Sequence, residues 1–321
     1  MKKISFRDVG LKYALSPFDP PVIHVDPGET LVIEVEDASS GQIRKRTDRR
    51  DRRSVPFGNP VVGPIYIRGA KRGSSISVSI LEITPSIGQG ATYFSEFNEE
   101  YVAGTPILKF LGEKFPREPK ICKIMNGQVY FSDGLAIPYR PMVGTLGVAP
   151  NPEGEALSSG VLPGRHGGNM DLPDVCPAST IFLPVFHEGA LLYIGDVHAV
   201  QGDGEISGTA VEMPAEVKIK VDLKDEPLTW PMIENKDEVM FVATTSNGVS
   251  LEDAIRTAFL ELAIWIERKF GLNRFDALML CGQIGKIRIG NLWTVAAKIE
   301  KKYLDALSSP PSRFQDRSKK L

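Results

Sequence analysis

Short runs of β-branched residues, cut repeatedly by glycine and proline, fill this chain from its start to about residue 215. The 321 residues include 30 Gly and 24 Pro, so turns are frequent and the segments between them short. Val22 to Asp26, Leu31 to Glu36, Pro64 to Arg68 and Ile76 to Ile83 are rich in Val and Ile. Leu31-Val32-Ile33-Glu34-Val35-Glu36 and Ile76-Ser77-Val78-Ser79-Ile80 alternate with period two, as half-buried strands do. Tyr193 to Val200 and Val217 to Leu223 continue the pattern. Short strands with glycine and proline corners and little helix predict a mainly β body of sandwich or barrel type.

Helix is expected only late. Ser250, with Asp253 three residues on, reads as a capping box. Leu251, Ala254, Ile255, Ala258, Phe259, Leu262, Ile266 and Phe270 then form one apolar stripe at helical spacing, and Gly271 stops it. A second helix is expected over Arg274 to Leu280, with strand-like runs at Glu238 to Thr245 and Leu292 to Ile299 on either side of the pair. The expected organisation is a β-rich body over residues 1–215, a smaller α+β unit over 216–305 and a disordered tail over 306–321.

Bulk numbers exclude several classes. A compact body of this length buries roughly 75% of its unfolded surface, so it needs no staples. Cys122, Cys176 and Cys281 are odd in number and far apart, which argues against a disulfide scaffold or a cysteine zinc site and suits a reducing cytoplasm. A net charge of −2 gives no global pull toward nucleic acid or an acidic membrane. No run approaches the ~18 uncharged apolar residues of a membrane span, and Arg7 and Asp8 interrupt the N-terminus before a secretory signal could form. The expectation is a cytoplasmic protein without nucleic-acid or membrane partners.

The chemistry concentrates in Gly195-Asp196-Val197-His198-Ala199-Val200-Gln201-Gly202-Asp203-Gly204-Glu205. On a strand, Asp196 and His198 project from one face. Gly202-Asp203-Gly204 is a turn signal, which would put Glu205 on the return limb of a hairpin. Imidazole beside carboxylate suits zinc or a similar divalent ion, with calcium the alternative if all the carboxylates serve as ligands. Glu205 or Asp203 is the candidate general base.

Upstream, Leu162-Pro163-Gly164-Arg165-His166-Gly167-Gly168-Asn169-Met170-Asp171 is a glycine-rich polar loop. Its backbone N–H groups could approach a small ligand as an oxyanion hole does. It lacks the Lys-Ser or Lys-Thr of a phosphate loop. His166 is expected to join Asp196 and His198 on one cation, and Arg165, Gly167, Gly168, Asn169 and Asp171 to contact substrate. Asp37, in Glu36-Asp37-Ala38-Ser39-Ser40-Gly41, is divided between an Asx turn and a catalytic role. Cys176 reads as a structural thiol. Seven of the ten residues from Arg44 to Arg53 are basic. Without aromatic interleaving this predicts a mobile loop that faces a neighbouring subunit of a homo-oligomer, rather than a nucleic-acid contact.

These two blocks, together with Asn59-Pro60-Val61-Val62-Gly63-Pro64-Ile65-Tyr66-Ile67 and Asp37-Ala38, resemble the acetamidase/formamidase family, in the family's order, from about Val22 to about Glu212. The resemblance implies hydrolysis of a short aliphatic amide, formamide or acetamide, to carboxylate and ammonia, on a β-rich fold with an α+β C-terminal part. The runner-up from the residues is a cation-binding β-sandwich that holds a small ligand without turning it over.

Overall fold

The computed structural model describes residues 1–94, 115–151, 156–160 and 163–308. The fold is mainly β, as expected. A nine-stranded sheet runs in the order Lys2–Ser5, Thr30–Val35, Ala215–Lys224, Ser75–Pro85, Thr180–Pro184, Met232–Glu234, Glu238–Thr244, Thr294–Glu300, Lys286–Ile289. A five-stranded sheet runs Gly167–Asn169, Met142–Val148, Leu192–His198, Val61–Ile67, Ile23–Val25. Ile33, Val78 and Val217 from the first sheet and Val62, Leu146 and Ile194 from the second belong to one buried apolar core. The two sheets therefore stack as a sandwich.

Toward the C-terminal end, the large sheet is covered on its other face too. In Glu238–Thr244, Met240 and Val242 enter the main core while Val239, Phe241 and Ala243 enter a second one. That second core is capped by the helix Leu251–Phe270, which buries Ala254, Ala258, Leu262, Ala263, Trp265 and Ile266. Ile255 and Phe259, also on the expected stripe, are only partly buried against the same cluster. Ser250 accepts from Asp253 N–H, and Gly271, with φ 70°, closes the helix. The second helix runs Arg274–Ile284, a turn longer than expected.

The expected division after residue 215 falls within the strand Ala215–Lys224. That strand pairs with Thr30–Val35 and Ser75–Pro85, because Val217, Ile219 and Val221 face the main core. The sheet is thus continuous across the expected boundary. A helix over Lys301–Ser308 occupies the first residues assigned to the tail, and residues 309–321 lie outside the described ones. Among the described residues, no helix is long and apolar enough to cross a membrane.

Candidate metal centre

Five stretches of chain meet at one end of the five-stranded sheet. Asp196 and His198 close the strand Leu192–His198, Thr145 lies on its neighbour Met142–Val148, and Asn169 and Asp171 end and follow Gly167–Asn169. Glu212 returns beside His198 through an isolated bridge. Asn291 comes from the turn between the last two strands of the large sheet.

His198 organises the cluster. Its Nδ1 stands 2.8 Å from Gln201 Oε1, while Gln201 Nε2 donates to the Asp171 carbonyl at 2.6 Å. A carbonyl can only accept, so the Gln201 amide is oriented and His198 Nδ1 must carry the hydrogen. Nε2 then faces Glu212 Oε2 at 3.1 Å, Asp196 Oδ1 at 3.4 Å and Asp171 Oδ1 at 4.0 Å. All four residues are buried. Among the described residues, Asp171 Oδ1 and Glu212 Oε2 have no hydrogen-bond partner, the latter because it lies off the N–H direction of the imidazole. A buried meeting point of one ring nitrogen and three carboxylates calls for positive charge, as protons on Nε2 or on the carboxylates or as a cation. Asp171, Asp196 and His198 offer ligand atoms within 4.8 Å of one another, as do His198, Glu205 and Glu212.

The proton affinities agree. Burial would push His198 down, but the Glu212 and Asp196 carboxylates outweigh it and raise its pKa well above the usual value. Burial and Asp196 push Asp171 up to about 7, and burial also takes Glu212 to about 7 against the pull of His198. Burial followed by Asp171 raises Glu205 well above the ordinary carboxylate range. Each carboxylate is short of positive charge, which a divalent ion would supply.

The surrounding residues hold these oxygens in place. Asn291 Nδ2 donates to Asp171 Oδ2 at 2.9 Å, and its Oδ1 accepts from Thr294 Oγ1 at 2.9 Å. Asn59 Nδ2 donates to Asp196 Oδ2 at 2.8 Å and to Asn169 Oδ1 at 3.1 Å, and Thr145 Oγ1 donates to Asn169 Oδ1 at 2.7 Å. Asn169 is thereby oriented with its oxygen engaged. Position 144 must be glycine, since a Cβ there would strike Asp171 Oδ1 and come within 2.9 Å of Asp196 Oδ2. Asn59, Asp171, Asp196 and Glu205 all adopt left-handed backbone, with φ of 51°, 47°, 57° and 45°. For non-glycine residues this costs on the order of 1–3 kcal/mol each, strain that gathers where a site is being shaped.

Beside the cluster lies a cavity of about 310 Å³, lined by Asn169, Glu205 and Glu212 among others.

The expected site residues fare unevenly. Asp196 and His198 converge, although the left-handed Asp196 means that plain strand alternation is not what brings them together. Glu205 joins them from the loop of a wider hairpin, whose return limb at Val211 to Met213 pairs with Val197 to Val200, and not from the return limb itself. Gly204 N–H donates to the Gly290 carbonyl at 2.7 Å, pairing the turn with the C-terminal strands. Asp203 is turned outward and paired with Arg288 Nη1 at 2.7 Å. Asp37 is an Asx turn: it accepts from Ser39 N–H at 2.8 Å and Gly41 N–H at 3.2 Å, and pairs with Arg44.

His166 is buried but lies outside both ligand groups. It occupies a two-residue hairpin turn with Arg165, between the reciprocal Gly164 and Gly167 backbone bonds. Gly167 N–H is committed to Gly164, and a Cβ at Gly168 would meet the His166 ring at 2.8 Å, so both glycines serve close packing. Arg165 is exposed, its guanidinium 5.6 Å from the centre of the Trp230 ring. Asp171, expected on the substrate, stands among the ligand atoms. Cys176 has its pKa raised by burial, opposite to what a nucleophilic thiol needs. The arginine run folds back on the body: Arg44 pairs with Glu36 at 2.7 Å, and Arg50 and Arg52 line the cavity.

Glu212, Gln201, Asn59 and Asn291 were not anticipated. Only Glu212 carries a local signal, a carboxylate set between Val211 and Met213 in an otherwise apolar run.

The fold and site together define a β-sandwich protein with a buried carboxylate–imidazole centre at one sheet end. Sequence comparison then supplies the family. The profile of the Acetamidase/Formamidase family matches residues 15–159 and 154–285, and the chain belongs to that family. An acetamidase from Mycolicibacterium smegmatis is 28% identical over 64% of this chain and 64% of its own length. The chain thus spans less than two thirds of that relative. Among solved structures, an acetamidase from Yersinia enterocolitica is 36% identical with a TM-score of 0.84, covering 95% of this chain and 93% of the other. An acetamidase from Bacillus halodurans is 30% identical with the same TM-score of 0.84, covering 96% and 100%.

Proposed function

We propose that the protein hydrolyses the C–N bond of a short aliphatic amide, releasing ammonia and a carboxylate, with a divalent cation at the His198 cluster. The observation that carries this reading is His198 Nε2 facing three buried carboxylates with Nδ1 anchored by Gln201. An imidazole fixed through its other nitrogen is the usual arrangement of a metal-ligating histidine. Asp171, Asp196 and His198 would hold the ion, with Glu212 beside them, and the mixed nitrogen and oxygen donors favour zinc, with calcium second. When bound, such an ion supplies Lewis-acid polarisation of the amide carbonyl and acidifies water.

The chain's own residues do the rest. Glu205 borders the cavity with a raised pKa. It takes the proton of the attacking water and delivers it to the departing nitrogen. The water oxygen bonds to the carbonyl carbon, the C–N bond breaks, and ammonia leaves. Asn169, with Oδ1 engaged by Asn59 and Thr145, has its amide N–H₂ left to donate to the carbonyl oxygen as negative charge develops there. Neither Asp203 nor Asp37 has a part in this scheme, and His166, Arg165, Gly167 and Gly168 act by packing.

The test is ammonia release from formamide, acetamide, propionamide and urea, before and after chelation, with metal content measured in parallel. Release from formamide or acetamide, lost on chelation and restored by zinc, is the expected result. Stoichiometric metal without release from any amide would leave a cation-binding protein instead.

A further inference from the structure

Glu205, Glu212 and Arg50 line the same cavity. Among the described residues, Arg50 donates from its side chain to the Phe57 carbonyl alone, and its Nε is buried without a partner. No carboxylate of the described residues pairs with it. Burial lowers its pKa, and the charges acting on it most are those of Tyr93, Arg52, Tyr13 and Asp37 rather than the metal-type cluster. Asp37 is already held by Ser39, Gly41 and Arg44. The buried Nε is out of a ligand's reach, so the donors this half-buried side chain can offer to the cavity are those of its Nη atoms.

Further arginines stand nearby, of which Arg52 is already engaged. A second cavity of about 300 Å³ shares Arg50, Arg52 and Tyr93 with the first and adds Arg49 and Arg117. Asp48 is the carboxylate among its described lining residues, and it is engaged by the backbone N–H groups of Arg44 and Lys45, each at 2.8 Å.

We infer that Arg50 is a specificity-determining residue that grips a carboxylate at the far end of the acyl chain, so that the preferred substrates are monoamides of short dicarboxylic acids. The guanidinium edge can hold both carboxylate oxygens, which a lysine cannot do. Glu205 and Glu212 repel the same carboxylate, so the amide end is the one directed toward His198. This inference rests on the amide-hydrolase reading of the same cavity.

Calorimetric titration of the metal-loaded protein with malonamate and succinamate, against acetamide and propionamide, tests it, with ammonia release followed in parallel. At least one carboxylated amide is expected to bind about tenfold or more tightly than its neutral counterpart. In R50Q the carboxylated and neutral amides should bind alike, and R50K should keep only part of the preference. Equal binding of neutral and carboxylated amides by the wild type, or an undiminished preference in R50Q or R50K, overturns the assignment. Ammonia release without a carboxylate preference would remove Arg50's role and keep amide hydrolysis. An Arg50-dependent preference without ammonia release would do the reverse.

Discussion

His166 and His198 are both buried, 6% and 1% exposed, yet their surroundings drive them in opposite directions. Burial alone acts on His166 and lowers its pKa to about 4, so it is a neutral ring packed between glycines. His198 is buried more completely, but Glu212 and Asp196 reverse the effect and raise its pKa well above the usual value. Burial therefore does not make a histidine functional. What differs is the company: His198 has carboxylates on one nitrogen and an oriented amide on the other, Asp196 and Gln201 coming from its own stretch of chain and Glu212 from the returning one.

The most severe way to break the comparison is His198→Ala beside His166→Ala. The first should lose the metal and all measurable ammonia release. The second should keep metal stoichiometry by elemental analysis and activity within about tenfold, equivalent to roughly 1.4 kcal/mol of packing loss. Metal loss from His166→Ala would place that residue in the centre after all.

Glu205→Gln should retain metal and lose about 10²–10⁴-fold in kcat, because an amide keeps the shape but accepts no proton at neutral pH. Unchanged turnover would pass the proton role to Glu212. Asn291→Ala, which frees Asp171 Oδ2, should weaken metal affinity by about 10–100-fold, read by competition with a chromophoric chelator. Unchanged affinity would mean that Asp171 is positioned without it.

The smallest effect separates the two histidines by pH. Asp171 and Glu212, both near 7, and the raised His198 bind protons more tightly in the folded protein than in the unfolded chain. The stabilisation from Asp171 and Glu212 is complete below the ordinary carboxylate range and is lost as pH rises through about 7, while that from His198 is complete below about 6.5 and persists to higher pH. His166 has the opposite sign: its contribution is present above about 6.5 and is lost as pH falls toward 4. The metal-free protein should lose on the order of 5 °C in Tm between pH 6 and 8, a loss that added zinc offsets by replacing the protons. His166→Asn should flatten only the acid side of the profile. A Tm of the metal-free protein that stays level across pH 6 to 8 would contradict the raised values.

Much of the fold was legible because its signals are local. The alternation in Thr30–Val35 and Ser75–Pro85, the Ser250 cap and the Gly271 stop each arise within a few neighbouring residues. The Asp196–His198 pair was legible for the same reason. The tight hairpin expected to put Glu205 on its return limb is replaced by a wider one that returns at Val211, and Gly204 in its loop pairs with Gly290, 86 residues away in sequence, which no turn propensity encodes. The arginine run reads as a solvated loop until Asp37 and Glu36 are seen to fold it back through Arg44.

Sequence by itself determined the β-rich class, the late helices, the family resemblance and the first two members of the site, since each depends on residue type and short-range spacing. Only the tertiary structure decided which carboxylates surround His198, that His166 stands apart from them, and that Arg50 reaches the cavity. The physical reason is that charge and desolvation act through space. Asp171, Glu212 and Asn291 come from separate stretches of chain, and their proton and cation affinities exist only once folding has removed the water between them.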